Sequence, residues 1–215
     1  MTDTGAGTEE TVGDGEPEDG HGDTERLRTV CWRGRGIAFA ALDPDDAELI
    51  HAWRSDPVIA HEVGTWPRSL SAVRERVESD LENGDRDDFV VLLPDGTPLG
   101  HIALTGQDIV DGSAAIALML DPAHRGQGYG TAAVDALVDL AFGELPLHRV
   151  EAETHTTNTA ALGVLAKAGF AQEGVRRSAC MHRGRRHDLG LHALLREEWE
   201  ALTRARSWDL PVTAG

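Results

Sequence analysis

The stretch from Ile116 to Ala133 constrains this chain more than any other. An apolar run ends at Leu118-Met119-Leu120, and Asp121-Pro122-Ala123-His124 leads into Arg125-Gly126-Gln127-Gly128-Tyr129-Gly130-Thr131. This reads as a strand, a glycine-rich turn and the first turn of a helix. The helix shows an apolar face at Ala133, Ala136, Leu137, Leu140 and Ala141, the spacing of a helix packed on a sheet. Three glycines in five residues clear side chains from where a ligand must approach the backbone, and N–H groups at a helix start point outward. Such a turn binds an anion, most often a pyrophosphate. The dinucleotide fingerprint would need glycine at position 131, which is Thr131, and the nucleoside-triphosphate loop would need Gly-Lys-Ser/Thr, which is absent. An ordinary glycine-rich strand-to-helix turn is the plain alternative.

At 215 residues the chain suits one domain with appendages and can bury a sizeable core. The net charge is −17, and nine acids fall in residues 1–25, which hold no Lys or Arg. That leader has almost no apolar residues to offset the entropy of ordering, so disorder is expected there. Lys167 is the only lysine. This composition fits a salt-loving organism, and an arginine-rich, GC-biased genome equally well. A negative body argues against a nucleic-acid binder. With no apolar run long enough to span a membrane and no signal pattern, a cytoplasmic protein without a membrane partner is expected. Cys31 and Cys180 lie far apart without metal-type spacing, so neither a disulfide framework nor a metal site is expected.

Along the chain, Thr29 to Leu42 reads as a strand or hairpin around Gly34 and Gly36. Asp43-Pro44 starts a helix that runs to about Arg54, where Asp56-Pro57 breaks it. A second helix spans about Ser71 to Leu81. Strands follow at Phe89–Leu93, Leu99–Leu104 and Ala115–Leu120, the first two joined by the turn Pro94-Asp95-Gly96-Thr97. After the glycine-loop helix come a strand at Arg149–Thr154, a helix capped near Asn158 and ended by Gly169, and a final hairpin around Arg183-Gly184-Arg185.

Several motifs now stand in register. Trp53-Arg54-Ser55-Asp56-Pro57 follows the first helix, and then comes the loop from Arg125 to Thr131. About thirty residues on lies Asn158-x-x-Ala161-x-x-x-Leu165-x-Lys167-x-Gly169-Phe170, followed by Glu173-Gly174-x-Arg176, Gly184-x-x-x-Asp188, Leu194-Leu195 and Glu198-Trp199. Together they resemble the RimJ/RimL branch of the GNAT superfamily of N-acetyltransferases, which acetylates protein N-termini and various other amines. The resemblance covers roughly residues 35–206. It sets a domain at 29–206 between the leader and a tail at 207–215.

The resemblance implies an α+β, three-layer fold. Its central sheet is mixed and largely antiparallel with a V-shaped splay, and helices cover both faces. It implies acetyl-CoA as co-substrate and an amine acceptor as partner, a protein N-terminus or a small molecule, in a monomer or a homodimer. The pantetheine arm would lie in the splay beside Met119 and Leu120, whose strand-edge N–H groups are the implied oxyanion donors. The stretch Arg125, Gly126, Gln127, Gly128, Tyr129, Gly130 and Thr131 would hold the pyrophosphate through backbone amides. Asn158 would bond the arm from the other side as well as capping its helix.

Proton handling departs from the family. Leu165 stands where many relatives carry a tyrosine, Ala161 where this branch often has serine, and Ala115 and Ala117 where an acid would fall on the strand. The base candidates are Glu151, Glu153 and His155, alternating onto one strand face, where a solvated or salt-bridged row is the alternative. The arginines of the final hairpin (Arg176, Arg177, Arg183, Arg185, Arg186) read either as a site for an acidic peptide or coenzyme phosphate or as an exposed turn. The first choice of function is N-terminal α-amine acetylation; small-amine acetylation (polyamine, antibiotic or amino acid) comes second and non-catalytic CoA binding third.

Overall fold

The computed structural model describes residues 28–62 and 66–211, so the acidic leader lies outside the described residues. Among the described residues eight strands are formed: β1 (Val30–Gly34), β2 (Ile37–Ala41), β3 (Asp87–Leu92), β4 (Pro98–Asp108), β5 (Ser113–Leu120), β6 (Arg149–His155), β7 (Ala171–His182) and β8 (Arg185–Leu195). The helices are α1 (Ala47–Ser55), α2 (Pro57–Glu62), α3 (Leu70–Leu81), α4 (Tyr129–Glu144), α5 (Thr159–Lys167) and α6 (Arg196–Ala201). The strands join one open sheet in the order β1-β2-β3-β4-β5-β6-β8-β7, antiparallel throughout except between β5 and β6. This is the expected α+β, mixed and largely antiparallel architecture.

Local chemistry explains most boundaries. Ser69 caps α3 by accepting from the Ala72 N–H at 3.3 Å, and Asn158 caps α5 by accepting from the Ala161 N–H at 3.0 Å. Asp56-Pro57 ends α1 as expected, yet it also begins α2. The Asp56 carboxylate accepts from the N–H groups of Val58 (2.8 Å) and Ile59 (3.0 Å), while Pro57 occupies the first helical position, where no N–H is needed. Ile59 is fully buried, so the short helix is held by packing.

Each face of the sheet buries its own core. On one side Ile50, Trp53, Ile59, Val73 and Val77 cover Ala40, Val90, Leu92 and Met119; on the other Val134, Leu137, Phe142 and Leu165 cover Phe39, Ile102, Leu104 and Val150. Thus α1, α2 and α3 lie on the Met119 face and α4 and α5 on the opposite one. The β5–β6 ladder holds only the pairs Ser113–Arg149, Ala114–Val150 and Ala115–Glu151. Beyond them β5 stays with β4 as far as Leu120, and β6 stays with β8 as far as His155. The two parallel strands therefore part, which is the V-shaped splay. Among the described residues no helix is long and apolar enough to cross a membrane.

Candidate active site

The ladders on either side of the splay decide which backbone groups face it. The Asp121 N–H donates to the Leu99 carbonyl at 2.8 Å, in register with the Met119–His101 pair. Antiparallel bonding alternates, so the N–H and C=O of Met119 also turn toward β4, while those of Leu118 and Leu120 turn to the open side. Two observations agree. A Cβ placed on Gly100 would collide with the Met119 carbonyl, and the Leu120 carbonyl accepts from the Arg125 guanidinium at 3.3 Å. Across the gap, Thr156 donates to the Asp188 carbonyl at 3.1 Å, and the same alternation turns the Glu153 backbone away from β8 into the splay. Both open edges thus carry polar backbone without a strand partner, suited to an extended amide-bearing ligand. The free donors are on Leu118 and Leu120; Met119 contributes its side chain to the core.

At the end of β5 the glycine loop has the features of an anion cradle. Gly126 (φ 76°) and Gly128 (φ 90°) are left-handed, conformations that glycine adopts without a Cβ penalty. Open space surrounds both, whereas a Cβ on Gly130 would press on Val164 and Leu120 at 3.1 and 3.3 Å. The first two glycines shape the turn, and the third lets α4 approach β5 and α5. The first bond of α4 runs from the Ala132 N–H to the Gly128 carbonyl (3.1 Å). The N–H groups of Gly126, Gln127, Gly128, Tyr129, Gly130 and Thr131 make no hydrogen bond among the described residues. Six successive donors at a helix start suit a pyrophosphate in number and placement. Gln127 is exposed, and Tyr129 and Thr131 are half-buried. The Arg125 side chain is already engaged, since its guanidinium pairs with Glu62 of α2 at 2.8 and 2.9 Å, tying that helix to the loop. Asn158 spends its side-chain oxygen on the α5 cap; its amide nitrogen makes no hydrogen bond among the described residues.

Glu151, Glu153 and His155 do share one face of β6, the face of Met119. Glu151 accepts from Arg149 at 2.6 Å, and Glu153 accepts from Arg176 of β7 at 2.8 and 3.1 Å. His155 is buried, its Nε2 3.5 Å from the Cys180 Sγ and its ring stacked on His187 at 5.3 Å between centroids. Ala115 and Ala117 bring no acid to the facing strand, and Leu165 is buried in the core behind it.

A second polar pair beside Met119 escaped the sequence reading. His101, the β4 partner of Met119, places its Nε2 2.7 Å from Asp88, which is gripped on its other side by Arg86 at 2.6 and 2.7 Å. Burial alone would raise the Asp88 pKa, but the bonds from His101 and Arg86 outweigh it and hold the carboxyl at about 2. A depressed carboxyl stabilises the fold above its unfolded pKa near 3.8 and loses that contribution as pH falls toward 2. The contribution is of order 2 kcal/mol. Asp88→Asn should therefore lower the denaturation midpoint at pH 7 and flatten the stability–pH curve between pH 4 and 2, as urea titrations across that range would record.

A parallel pair that parts beside a helix-start anion cradle is a shape with known relatives. Residues 36–171 match the Acetyltransferase (GNAT) domain family. The Bacillus subtilis protein named "Putative ribosomal N-acetyltransferase YdaF" is 31% identical over 182 residues, spanning 80% of this chain and 97% of that one. The spermidine N(1)-acetyltransferase of Vibrio cholerae is 22% identical, spanning 64% and 80%. A crystal structure of a spermidine N-acetyltransferase from Vibrio cholerae with CoA and spermine superposes with a TM-score of 0.73 at 21% identity, covering 77% of this chain and 98% of that one, a likeness of fold. The unpaired edges and the free amides of the glycine loop fit the coenzyme such a fold uses, and the chain belongs to the GNAT acetyltransferase family as an acetyl-CoA-dependent N-acetyltransferase.

Proposed function

We propose that the acceptor is the α-amine of a protein or peptide N-terminus. The observation that carries this reading is the state of the carboxylates at the splay: Glu151 and Glu153 are each held by an arginine, and β5 offers only Ala115 and Ala117. With no free carboxylate among the described residues of the splay to take its proton, an acceptor here must bring a usable neutral fraction of its own. At pH 7 an α-amine with pKa about 7.7–8.0 is roughly one-tenth neutral, whereas a lysine amine near 10.4 is neutral about once in two thousand. The name of the YdaF relative supports the same acceptor class.

On this reading the amides from Gly126 to Thr131 hold the coenzyme pyrophosphate, and the open edges at Leu118, Leu120 and Glu153 align its amide arm, with Asn158 at the far side. The coenzyme supplies a thioester carbonyl for direct attack by the amine. The N–H of Leu118 or Leu120 stabilises the oxyanion, and holding both reactants in line supplies several orders of magnitude in rate. The departing sulfur needs little acid help, because a thiolate is by itself a competent leaving group. Leu165 in place of a tyrosine is therefore tolerable.

Glu153, exposed and paired with Arg176, takes a proton only after the attack. Glu153→Gln should accordingly lower turnover of an α-amine peptide at pH 7 by less than about tenfold, leaving coenzyme binding unchanged. A thousandfold loss would overturn the argument. The wider test is CoA release at low and at molar potassium chloride, with a free α-amine peptide, its N-blocked lysine-bearing twin and a small-amine panel as acceptors. Turnover confined to the free α-amine is the expected result. Turnover confined to small amines would favour the second reading, polyamine-type acetylation, which the names of the spermidine acetyltransferases support.

A further inference from the structure

A cavity of about 430 Å³ lies between α1, α3 and the segment that joins α2 to α3. Its walls include His51 and Arg54 from α1, Trp66 and Arg68 from the joining segment, and Arg76 from α3, with no acid among its described lining residues. In a chain of net charge −17 this is a local reversal of sign. The three guanidiniums differ in what they already hold. Arg76 pairs with Asp80 at 2.8 Å, while Arg54 and Arg68 have no ion pair or side-chain hydrogen bond among the described residues. Arg54 is half-buried, and burial lowers its pKa from the guanidinium norm. Asp80 and Asp88 oppose that shift and Arg76 and Arg86 add to it, but both acids are already bonded to arginine, Asp88 also to His101. His51 sets its Nε2 3.2 Å from the Arg68 carbonyl, and Trp66, 79% exposed, stands at the rim.

A guanidinium partly withdrawn from water and left unpaired loses solvation that an anion restores, and its planar fork matches a carboxylate in two-point contact. The location suggests whose carboxylate. The α4 and α5 face is filled by the larger core, so an acceptor meets the splay from the face covered by α1, α2 and α3. Glu62, at the end of α2, is bound to Arg125 of the glycine loop. Glu62 thus sits at the coenzyme loop, and Trp66 and Arg68, a few residues on in sequence, line this cavity. We propose that the cavity is an acceptor subsite that takes carboxylates of the chain following the acetylated residue, so that the acceptor is an acidic N-terminal segment. This rests on the α-amine reading. It also disfavours polyamines, whose charges Arg54 and Arg68 repel.

The test uses two free-α-amine peptides that share the first residue and differ afterwards, one rich in Asp and Glu, the other carrying Asn and Gln at the same places. The acidic peptide should show a KM about tenfold below its amide twin at low ionic strength, with equal kcat. Arg68→Glu, at an exposed position, should abolish that advantage and leave the amide peptide and the coenzyme KM unchanged; Arg54→Gln should act in the same direction. Equal KM values in the unaltered protein, or an Arg68→Glu effect shared by both peptides, would overturn the subsite. Binding of N-acetylated versions, which cannot react, is followed by tryptophan fluorescence with Trp66→Phe as the blank. If the blocked acidic peptide binds in preference to its twin while no free α-amine is turned over, the cavity's preference for acidic chains stands and the α-amine reading falls, taking the acceptor assignment with it. If both peptides are turned over with no difference in binding, the reverse holds. Succinate binding as tightly as the blocked acidic peptide would show a free-anion site and overturn the acceptor assignment.

Discussion

Gly128→Asp is expected to raise the Kd for CoA by about a hundredfold to a thousandfold while the protein stays folded. Gly128 stands at φ 90°, immediately before α4, amid six N–H groups that make no hydrogen bond among the described residues. A Cβ there meets nothing within 4 Å, so the substitution creates no clash inside the protein. Two costs remain. Left-handed backbone costs a non-glycine residue roughly 1–2 kcal/mol, and a carboxylate among the amides replaces charge-assisted contacts worth about 1.5–3 kcal/mol with repulsion. Gly128→Ala separates them. Asp tolerates the left-handed region better than Ala does, so strain alone would make Ala the more damaging change, whereas loss of an anion site makes Asp worse. Calorimetric titration of CoA into both variants decides the order. Unchanged CoA affinity in both would remove the loop from the coenzyme site.

That loop was legible because its chemistry is local: a strand end, glycines at fixed offsets and a helix start all fall within twenty residues. The cap at Asn158 and the turn at Pro94–Thr97 were readable for the same reason. The short α2 was not. Asp-Pro can end one helix and start another, and only the burial of Ile59 against a distant sheet decides between the two. The splay came from family resemblance, because no local pattern says that β5 and β6 pair over three residues and then part. Which edge amides face the gap depends on register with β4 and β8, strands brought together by topology. This is why Met119 and Leu120 looked equivalent in sequence while the ladder separates them. The carboxylate partners were hidden likewise. Glu153 and Arg176 are 23 residues apart, and Asp88 and His101 are 13 apart on neighbouring strands. A polar residue inside an apolar strand was the one available hint of the latter pair, and it names no partner.

The largest loss of stability is expected from Asp139→Ala. Asp139 lies in the apolar middle of α4 and is fully buried, an expensive place for a charge unless every lone pair is used. They are used here. One oxygen accepts from the Trp199 indole at 2.8 Å and from Arg204 at 2.7 Å; the other accepts from Arg204 at 2.8 Å and from the Ser207 N–H and hydroxyl, each at 2.8 Å. Burial opposes ionisation, but the bonds from Arg204, Trp199 and Ser207 win and hold the pKa below the ordinary carboxylate range. Ser207 and Trp208, the first residues of the segment assigned to the tail, are anchored by this contact and by the Trp208 ring packed edge-on against Trp32 and Trp199. Removing the carboxylate leaves the Trp199 indole and both Ser207 donors without an acceptor and Arg204 with only Asp135, at 3.2 Å, as an acidic partner among the described residues, a change that typically costs about 3–5 kcal/mol. For a domain of this size that should lower Tm by roughly 10 °C or more. Asp139→Asn keeps the shape and one acceptor but not the charge, so its loss should fall between those of the unaltered protein and the Ala variant. Arg204→Met leaves a buried carboxylate that still has Trp199 and Ser207 as donors, and should cost less than Asp139→Ala. Because this contact pins α6 and the following segment to α4, on the side of the sheet away from the Met119 face, CoA affinity measured well below Tm should be unchanged in all three. Denaturation followed by tryptophan fluorescence checks the order. An Asp139→Ala protein as stable as the unaltered one would mean that the network contributes no net stability.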